Sequence, residues 1–394
     1  MLFSVKVSAQ DSLRNAPAVN AADSIDIYLI TCAPHEEVYS LYGHTAIRVT
    51  DKLHHQDFVV NWGVFDMKAS NFVIRFVFGL TDYMCAAVPT DVFKQEYRYY
   101  GSEVTQQHLA LNADEKFNLL NALMNNLRPE NRVYRYNFFY DNCTTRARDI
   151  IMQSLTRSTV VRQRVEDRAV DGKSFREMIH LKNSDYHWAR FGNDLLLGVQ
   201  ADFSITDKDR EFLPEVLQDD FGRILAADSS STRVLVDETS VLVGKSVPQF
   251  EPMTDFPLSP LVCSWIIAVV VTGLTVYESA VRKKYCKWID VVLFYACAVP
   301  GIILAAMIFS QHPTVRVNFQ IFVFCPLWFW LKSPWTRWKY ANKMSICLLL
   351  LFFLGTIFQT YAEGMMVLAL CLLFRLLCYE FKERNYSLEY NAAK

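Results

Sequence analysis

The chain has 394 residues, 52% of them hydrophobic, and a formal net charge of -1. That balance argues against a nucleic-acid-binding protein, because no basic excess is available to neutralise phosphates. The length allows about two or three domains. The apolar residues are unevenly placed: residues 1–255 mix charged, aromatic and apolar positions as a soluble domain does, whereas 258–380 is dominated by long apolar runs.

In chain order, Val7-Ser8-Ala9 is a small-residue site of the kind a signal peptidase cuts, but little apolar sequence precedes it, so a truncated start is expected, with export by another route as the alternative. Residues 1–24 read as an export remnant or flexible lead. IDIYLITCA (25–33), HTAIRV (44–49) and DFVVNWGVF (57–65) read as strands, with a helix or turn over 34–42. A short helix follows over 67–79, then a strand, a helix over 88–101 and an extended VTQQHLAL (104–111). Asn112 and Glu115 are spaced as a capping box for a helix reaching Arg128. Ser174 and Glu177 repeat that spacing, and WARFGNDLLLG predicts another helix. The stretch 212–226 suggests a lid-like helix beside a bilayer, and 231–244 a hairpin.

The apolar half contains five candidate membrane spans, at about 261–281, 288–309, 318–332, 344–359 and 362–379. Basic residues cluster at 282–287, at 332–343 and near the C-terminus, while the stretches near His312 and Glu363 have few. The positive-inside rule then puts the basic stretches and the C-terminus in the cytoplasm and the large domain outside.

Of ten cysteines, only Cys32, Cys85 and Cys143 precede the apolar half. Cys32 and Cys85 are candidates for a disulfide in an oxidising compartment, with three separate thiols as the alternative. Cys143 lies in NFFYDNCTTRARDI (137–150), where Asp141-Asn142 can cap a helix whose first turn would carry the cysteine. Unpaired N–H groups and the axial dipole there lower a thiol pKa and can hold a developing oxyanion. A buried structural cysteine and a disulfide half are the other readings.

A nucleophilic thiol needs a base, and His44 opens a strand behind Gly43. Asn61, on the neighbouring strand, can orient that imidazole, with Asp66 as a rival. Arg146 is a candidate for a phosphate head group, with an ion pair as the plainer account; Arg148 shares both readings. Phe138, Phe139, Tyr99, Tyr100 and Trp62 can line an acyl groove or belong to the core. His312 and Asn318, in HPTVRVN, either contact substrate at the membrane surface or cap helices. No HExxH, CxxC, GxSxG, GxGxxG or GxxxxGK[ST] motif occurs, so neither metal nor cofactor is expected.

GHTAIRV (43–49), VVNWGVFD (59–66), RPENRVYRYNFFYDNCTTRARDI (128–150) and the HPxxxxN pattern at 312–318 resemble the Lnb family, the Bacteroides-type lipoprotein N-acyltransferases, over roughly residues 25–380. The resemblance implies an α+β exported domain of permuted papain-like (NlpC/P60-like) type over 25–257. An all-helical transmembrane bundle of about five spans would follow over 258–394. It makes Cys143 the nucleophile and His44 the base, with Asn61 assigned by position; the candidate substrate-binding set, Arg146, Trp62, Tyr42, His312 and Asn318, is read from the residues themselves.

The implied reaction carries a fatty acyl group from a membrane phospholipid, through an S-acyl enzyme, to the α-amino group of the N-terminal cysteine of a diacylated lipoprotein. Donation from the lipoprotein's own glycerol, giving a lyso-form, is the alternative. Membrane-tethered phospholipase or peptidase action is a rival enzyme reading, and a periplasmic assembly or sensory domain the non-enzyme one.

Overall fold

The computed structural model describes residues 22–35, 40–65, 71–155, 159–162, 173–227, 232–249, 254–282 and 285–392. The expected lead up to residue 21 and the turn at 36–39 lie outside the described residues. The chain forms two compact units. The first comprises 1–72, 81–171 and 206–253, and the second 73–80, 172–205 and 254–394. The division therefore differs from a single cut near 257, because two earlier segments fold with the C-terminal part.

The first unit is built on β1 (Ile25–Cys32), β2 (His44–Asp51), β3 (Gln56–Val64), β4 (Asp82–Pro89), β5 (Val104–Leu109) and β6 (Val133–Arg135). With β10 (Val236–Val243) they make a seven-stranded antiparallel sheet in the order β10-β5-β1-β2-β3-β4-β6. β1 is apolar at both parities because both its faces are covered. Ile27 and Leu29 enter the main core with Ile47, Val60 and Trp62, while Ile30 and Cys32 meet Phe93 and Tyr97 on the other side. Each such side chain contributes about 1.5–3 kcal/mol when fully buried.

Helix α1 (Thr90–Tyr100) supplies Phe93 and Tyr97 from successive turns. It stops at Gly101, whose φ of +69° and approach to the Ser246 carbonyl leave no room for a Cβ. Helix α2 (Ala113–Asn126) starts at the expected capping box: Glu115 N–H donates to the Asn112 side chain and Asn112 N–H to the Glu115 carboxylate, both at 2.9 Å. Helix α3 (Cys143–Ser154) packs on β2 and β3 and buries Ala147, Ile150 and Ile151.

Three local expectations are corrected here. The 231–244 stretch is not a hairpin: β9 (Thr232–Val234) pairs with β8 (Ile224–Ala227), itself paired to β7 (Thr159–Arg162) in a second sheet, whereas β10 pairs with β5. The buried Leu235 is the pivot; its N–H donates to the Ile224 carbonyl, and its own carbonyl accepts from Ala110. The 212–226 stretch is no lid, because the helix Pro214–Phe221 puts Leu217 and Phe221 fully into the core. Cys32 and Cys85 are both free and buried. They stand on β1 and β4, three strands and hence about 14 Å apart, well beyond disulfide reach.

In the second unit, two helices are long and apolar enough to cross a membrane, Pro260–Arg282 and Lys287–Met307. The expected five spans are reduced accordingly among the described residues. The 318–332 stretch breaks into the short turns Phe319–Phe322 and Trp328–Leu331, because Pro326 lacks a helical N–H donor. Ala341–Gly355 has 15 residues, and Met365–Ala392 carries Arg375, Glu380 and Lys382 within its apolar part.

The broken stretch is satisfied by buried amides. Phe319 N–H donates to Gln359 Oε1 at 2.8 Å and Ala362 N–H to Gln320 Oε1 at 2.9 Å. Irregular backbone is tolerated where protein, not lipid, supplies its partners. Residues 187–199 share this network through the Leu195 and Leu197 carbonyls, which accept from Asn318 and Gln359. Buried Arg375 bridges Asp290, Thr275 and Glu278.

Candidate active site

His44 is the first residue of β2 and lies opposite Cys32 of β1; Asn61 pairs with Ala46 across β3. Two residues along this antiparallel pair, the side chains meet. His44 Nε2–H donates to Asn61 Oδ1 at 2.6 Å, which fixes the tautomer and leaves Nδ1 for another partner. The rival Asp66 lies outside the described residues.

Cys143 opens α3 at the end of the sheet where β2 begins. The His44 ring and the Thr45 backbone N–H are near enough to act electrostatically on its sulfur, and the Thr144 hydroxyl lies 3.7 Å away. That hydroxyl is 3.1 Å from the Thr45 hydroxyl, so side chains of β2 and α3 are tied beside the thiol.

Burial alone would push the Cys143 thiol up; the His44 charge, with the His44, Thr45 and Thr144 contacts, outweighs it and brings the thiol down to about 7. For His44, burial pulls the imidazole down, yet the Cys143 charge and the Cys143 and Asn61 contacts carry it above its usual value. The two shifts describe one preference, for thiolate beside imidazolium. The other two thiols of this unit behave oppositely: burial pushes Cys32 up, and Cys85 up to about 12.

The helix start is more occupied than the sequence implied. Asn142 is the cap, and its Oδ1 accepts the N–H groups of Thr144 and Thr145 at 2.9 Å each, while Thr145 Oγ1 accepts the Asn142 N–H. The expectation of several open donors for an oxyanion is therefore corrected, because the capping box takes two of them. The Cys143 N–H is the first-turn donor outside the cap. Asn142 Nδ2 also donates to the Phe138 and Phe212 carbonyls at 3.0 Å each. Asn142→Ala is expected to lower stability by about 2 kcal/mol, the upper end for a cap, measured as a fall in the melting midpoint in detergent micelles.

The predicted substrate set is only partly gathered here. Arg146 forks onto Asp141 at 2.6 and 2.8 Å and lies 3.6 Å over the Tyr134 ring, so the ion-pair account describes it. Arg148 bonds Asp149 and the Lys208 carbonyl and lies 3.6 Å from Glu211. Trp62 is fully buried in the core with its indole N–H toward Asn126, which leaves it no open acyl groove to line. Phe139 is buried edge-on to Phe212. Tyr42 is half-buried within electrostatic reach of Tyr136.

His312 and Asn318 belong to the second unit, both buried. Asn318 caps a helical turn through Gln320 N–H and donates to the Leu195 carbonyl, which uses its amide for packing.

Sequence reasoning missed Thr45, Thr144 and the aromatic group Phe65, Tyr83, Tyr134 and Tyr136. Tyr83 stacks on Phe65 at 4.7 Å and on Tyr136 at 4.0 Å, and it pairs with Tyr134 across β4 and β6. Tyr83, Tyr136 and Cys143 all pack, half-buried, against the same core. The signal was the alternation in Val133-Tyr-Arg-Tyr136, which puts both tyrosines on one face of a strand.

No curated protein and no solved structure matches the chain. Two family models match it, one described as the Lnb N-terminal periplasmic domain over residues 14–170 and the other as the Lnb transmembrane domain over 251–385. Together they take in about three quarters of the sequence, in an order that agrees with a folded sheet unit preceding apolar helices. The chain therefore belongs to the Lnb family, the Bacteroides-type lipoprotein N-acyltransferases.

Proposed function

We propose that this protein moves a fatty acyl group from a membrane phospholipid, through a thioester on Cys143, to the α-amino group of the N-terminal cysteine of a diacylated lipoprotein. The observation that carries this reading is a thiol lowered to about 7 beside a histidine whose far nitrogen is held by an asparagine, in a chain bearing both Lnb domains.

In the first half-reaction the Cys143 thiolate attacks the donor ester and the C–S bond forms. The tetrahedral intermediate collapses, the C–O bond to glycerol breaks, and His44 gives its proton to the leaving oxygen. In the second half the lipoprotein amine attacks the thioester. The C–N bond forms, the C–S bond breaks, and His44 takes the proton released from nitrogen. Asn61 acts as the positioning residue that holds the ring through both halves. A cysteine-bearing helix on an antiparallel sheet, with the histidine and asparagine earlier in the chain, supports a permuted papain-like arrangement.

In this reading the basic residues Arg282, Lys287, Lys332, Arg337, Lys339, Lys343, Lys382 and Arg384 mark the cytoplasmic side, as does the C-terminus. The sheet unit works in the periplasm against the outer surface of the inner membrane.

The test is the intact mass of the full-length protein in micelles after exposure to one defined phospholipid, then to a diacylated lipopeptide. The expected result is a mass increment of one acyl chain on Cys143, lost when the lipopeptide gains the same chain. Free fatty acid without transfer would make the protein a lipase. An increment arising only with lipopeptide, and a lyso-product, would identify the acceptor as its own donor. No increment and no transfer would end the thioester reading.

A further inference from the structure

We propose that the Tyr134 hydroxyl is a catalytic hydrogen-bond donor to the acyl carbonyl oxygen, completing with the Cys143 N–H the oxyanion hole that the helix cap leaves one donor short. The inference rests on the thioester reading above and assigns a further residue to it.

Four observations converge on this residue. Tyr134 is only 6% exposed, and its hydroxyl has no hydrogen-bond partner among the described residues. A phenylalanine would fill the same space without burying an unsatisfied oxygen, so the hydroxyl calls for an explanation. The ring is clamped: the Arg146 guanidinium lies 3.6 Å from its centroid and is itself held by the Asp141 fork, while Tyr83 meets the ring edge-on at 6.4 Å. Arg146 is three residues after Cys143 on α3, and side chains at that spacing are neighbours on one helix face. Finally, the capping box has taken the N–H groups of Thr144 and Thr145, which would otherwise serve an oxyanion.

Burial, and next the charge on Cys143, hold the phenol well above its usual range. It therefore stays protonated at neutral pH. As sulfur adds to the carbonyl carbon, the π pair moves to oxygen and the phenol donates to that oxygen. On collapse the C=O bond re-forms and the leaving oxygen takes its proton from His44. Tyr134 keeps its own proton in both half-reactions.

The test compares full-length Tyr134→Phe with the unaltered protein in micelles, using a p-nitrophenyl fatty ester as acyl donor and iodoacetamide as a second thiol reagent. Acylation is expected to slow by about 100-fold, as for loss of one oxyanion donor, with KM nearly unchanged. Alkylation should keep its rate and pH profile, because displacement at a saturated carbon forms no oxyanion, and the melting midpoint should hold or rise. Acylation at the unaltered rate would overturn the proposal, and so would a parallel loss of alkylation, since Tyr134 would then act through the thiol. If the unaltered protein takes an acyl group from the p-nitrophenyl ester but not from phospholipid, the donor assignment fails while the role of Tyr134 remains decided by the same comparison.

Discussion

Cys143→Ala is expected to abolish conversion of diacylated to triacylated lipoprotein, with a loss on the order of 10^6-fold, the scale seen when the nucleophile of a catalytic triad is removed. The expected loss does not come from unfolding. The residue is half-buried at the start of α3, and the helix keeps its Asn142 cap and its Ala147, Ile150 and Ile151 contacts when the sulfur is deleted. Cys32 and Cys85 cannot substitute, because burial raises both thiols and both stand within the packed sheet. The measurement is lipopeptide N-acylation by mass spectrometry, with the melting midpoint as the control for folding. Conversion by the alanine variant at a rate near that of the unaltered protein would remove the thiol from the reaction.

His44→Ala is expected to cost about 10^4-fold in acyl transfer at neutral pH, and the loss divides into two parts that pH separates. With its thiol at about 7, Cys143 is about half thiolate at pH 7; without His44, burial acts to push it up, and even at the ordinary value of 9.0 only about one hundredth would be thiolate. That part, about 50-fold or more, should appear in iodoacetamide alkylation. It should shrink as pH rises above 9 and the variant's thiol ionises. The remaining factor of about 10^2–10^3 is the lost proton donor to the glycerol oxygen, within the range for general acid catalysis. It should persist at high pH. A histidine variant that alkylates with an unchanged pH profile would mean that something other than His44 lowers the thiol.

The parts of this arrangement legible in the sequence were those written locally. Strand-like apolar runs located β1, β2 and β3, and the Asn112–Glu115 spacing marked the start of α2. Asp141-Asn142 marked the start of α3 and so put Cys143 on its first turn. The meeting of His44 with Asn61 followed from pairing two adjacent strands.

What was not legible depended on partners distant in sequence. β9 and β10 alternate alike, and only the choice of partner strand assigns them to different sheets. The run 318–332 is apolar enough to read as a span, but Pro326 and the buried Asn318 and Gln320 make it packed irregular backbone. Nor does composition reveal that Arg146 is committed to Asp141 and Tyr134, since an arginine after a cysteine can equally meet solvent or a phosphate.

The interleaving of the two units bears on the order of synthesis. The segment 172–205 emerges from the ribosome long before its partners, since the Leu197 carbonyl accepts from Gln359, 162 residues further on. Until the apolar tail has been translated and inserted, the carbonyls of Leu195 and Leu197 lack those amides, and this part of the fold cannot close. A truncated protein ending just before Thr254 would inherit the same defect permanently. Its sheet should remain sound while residues 173–205 stay sticky and protease-sensitive, so a well-behaved soluble version would have to excise that piece as well.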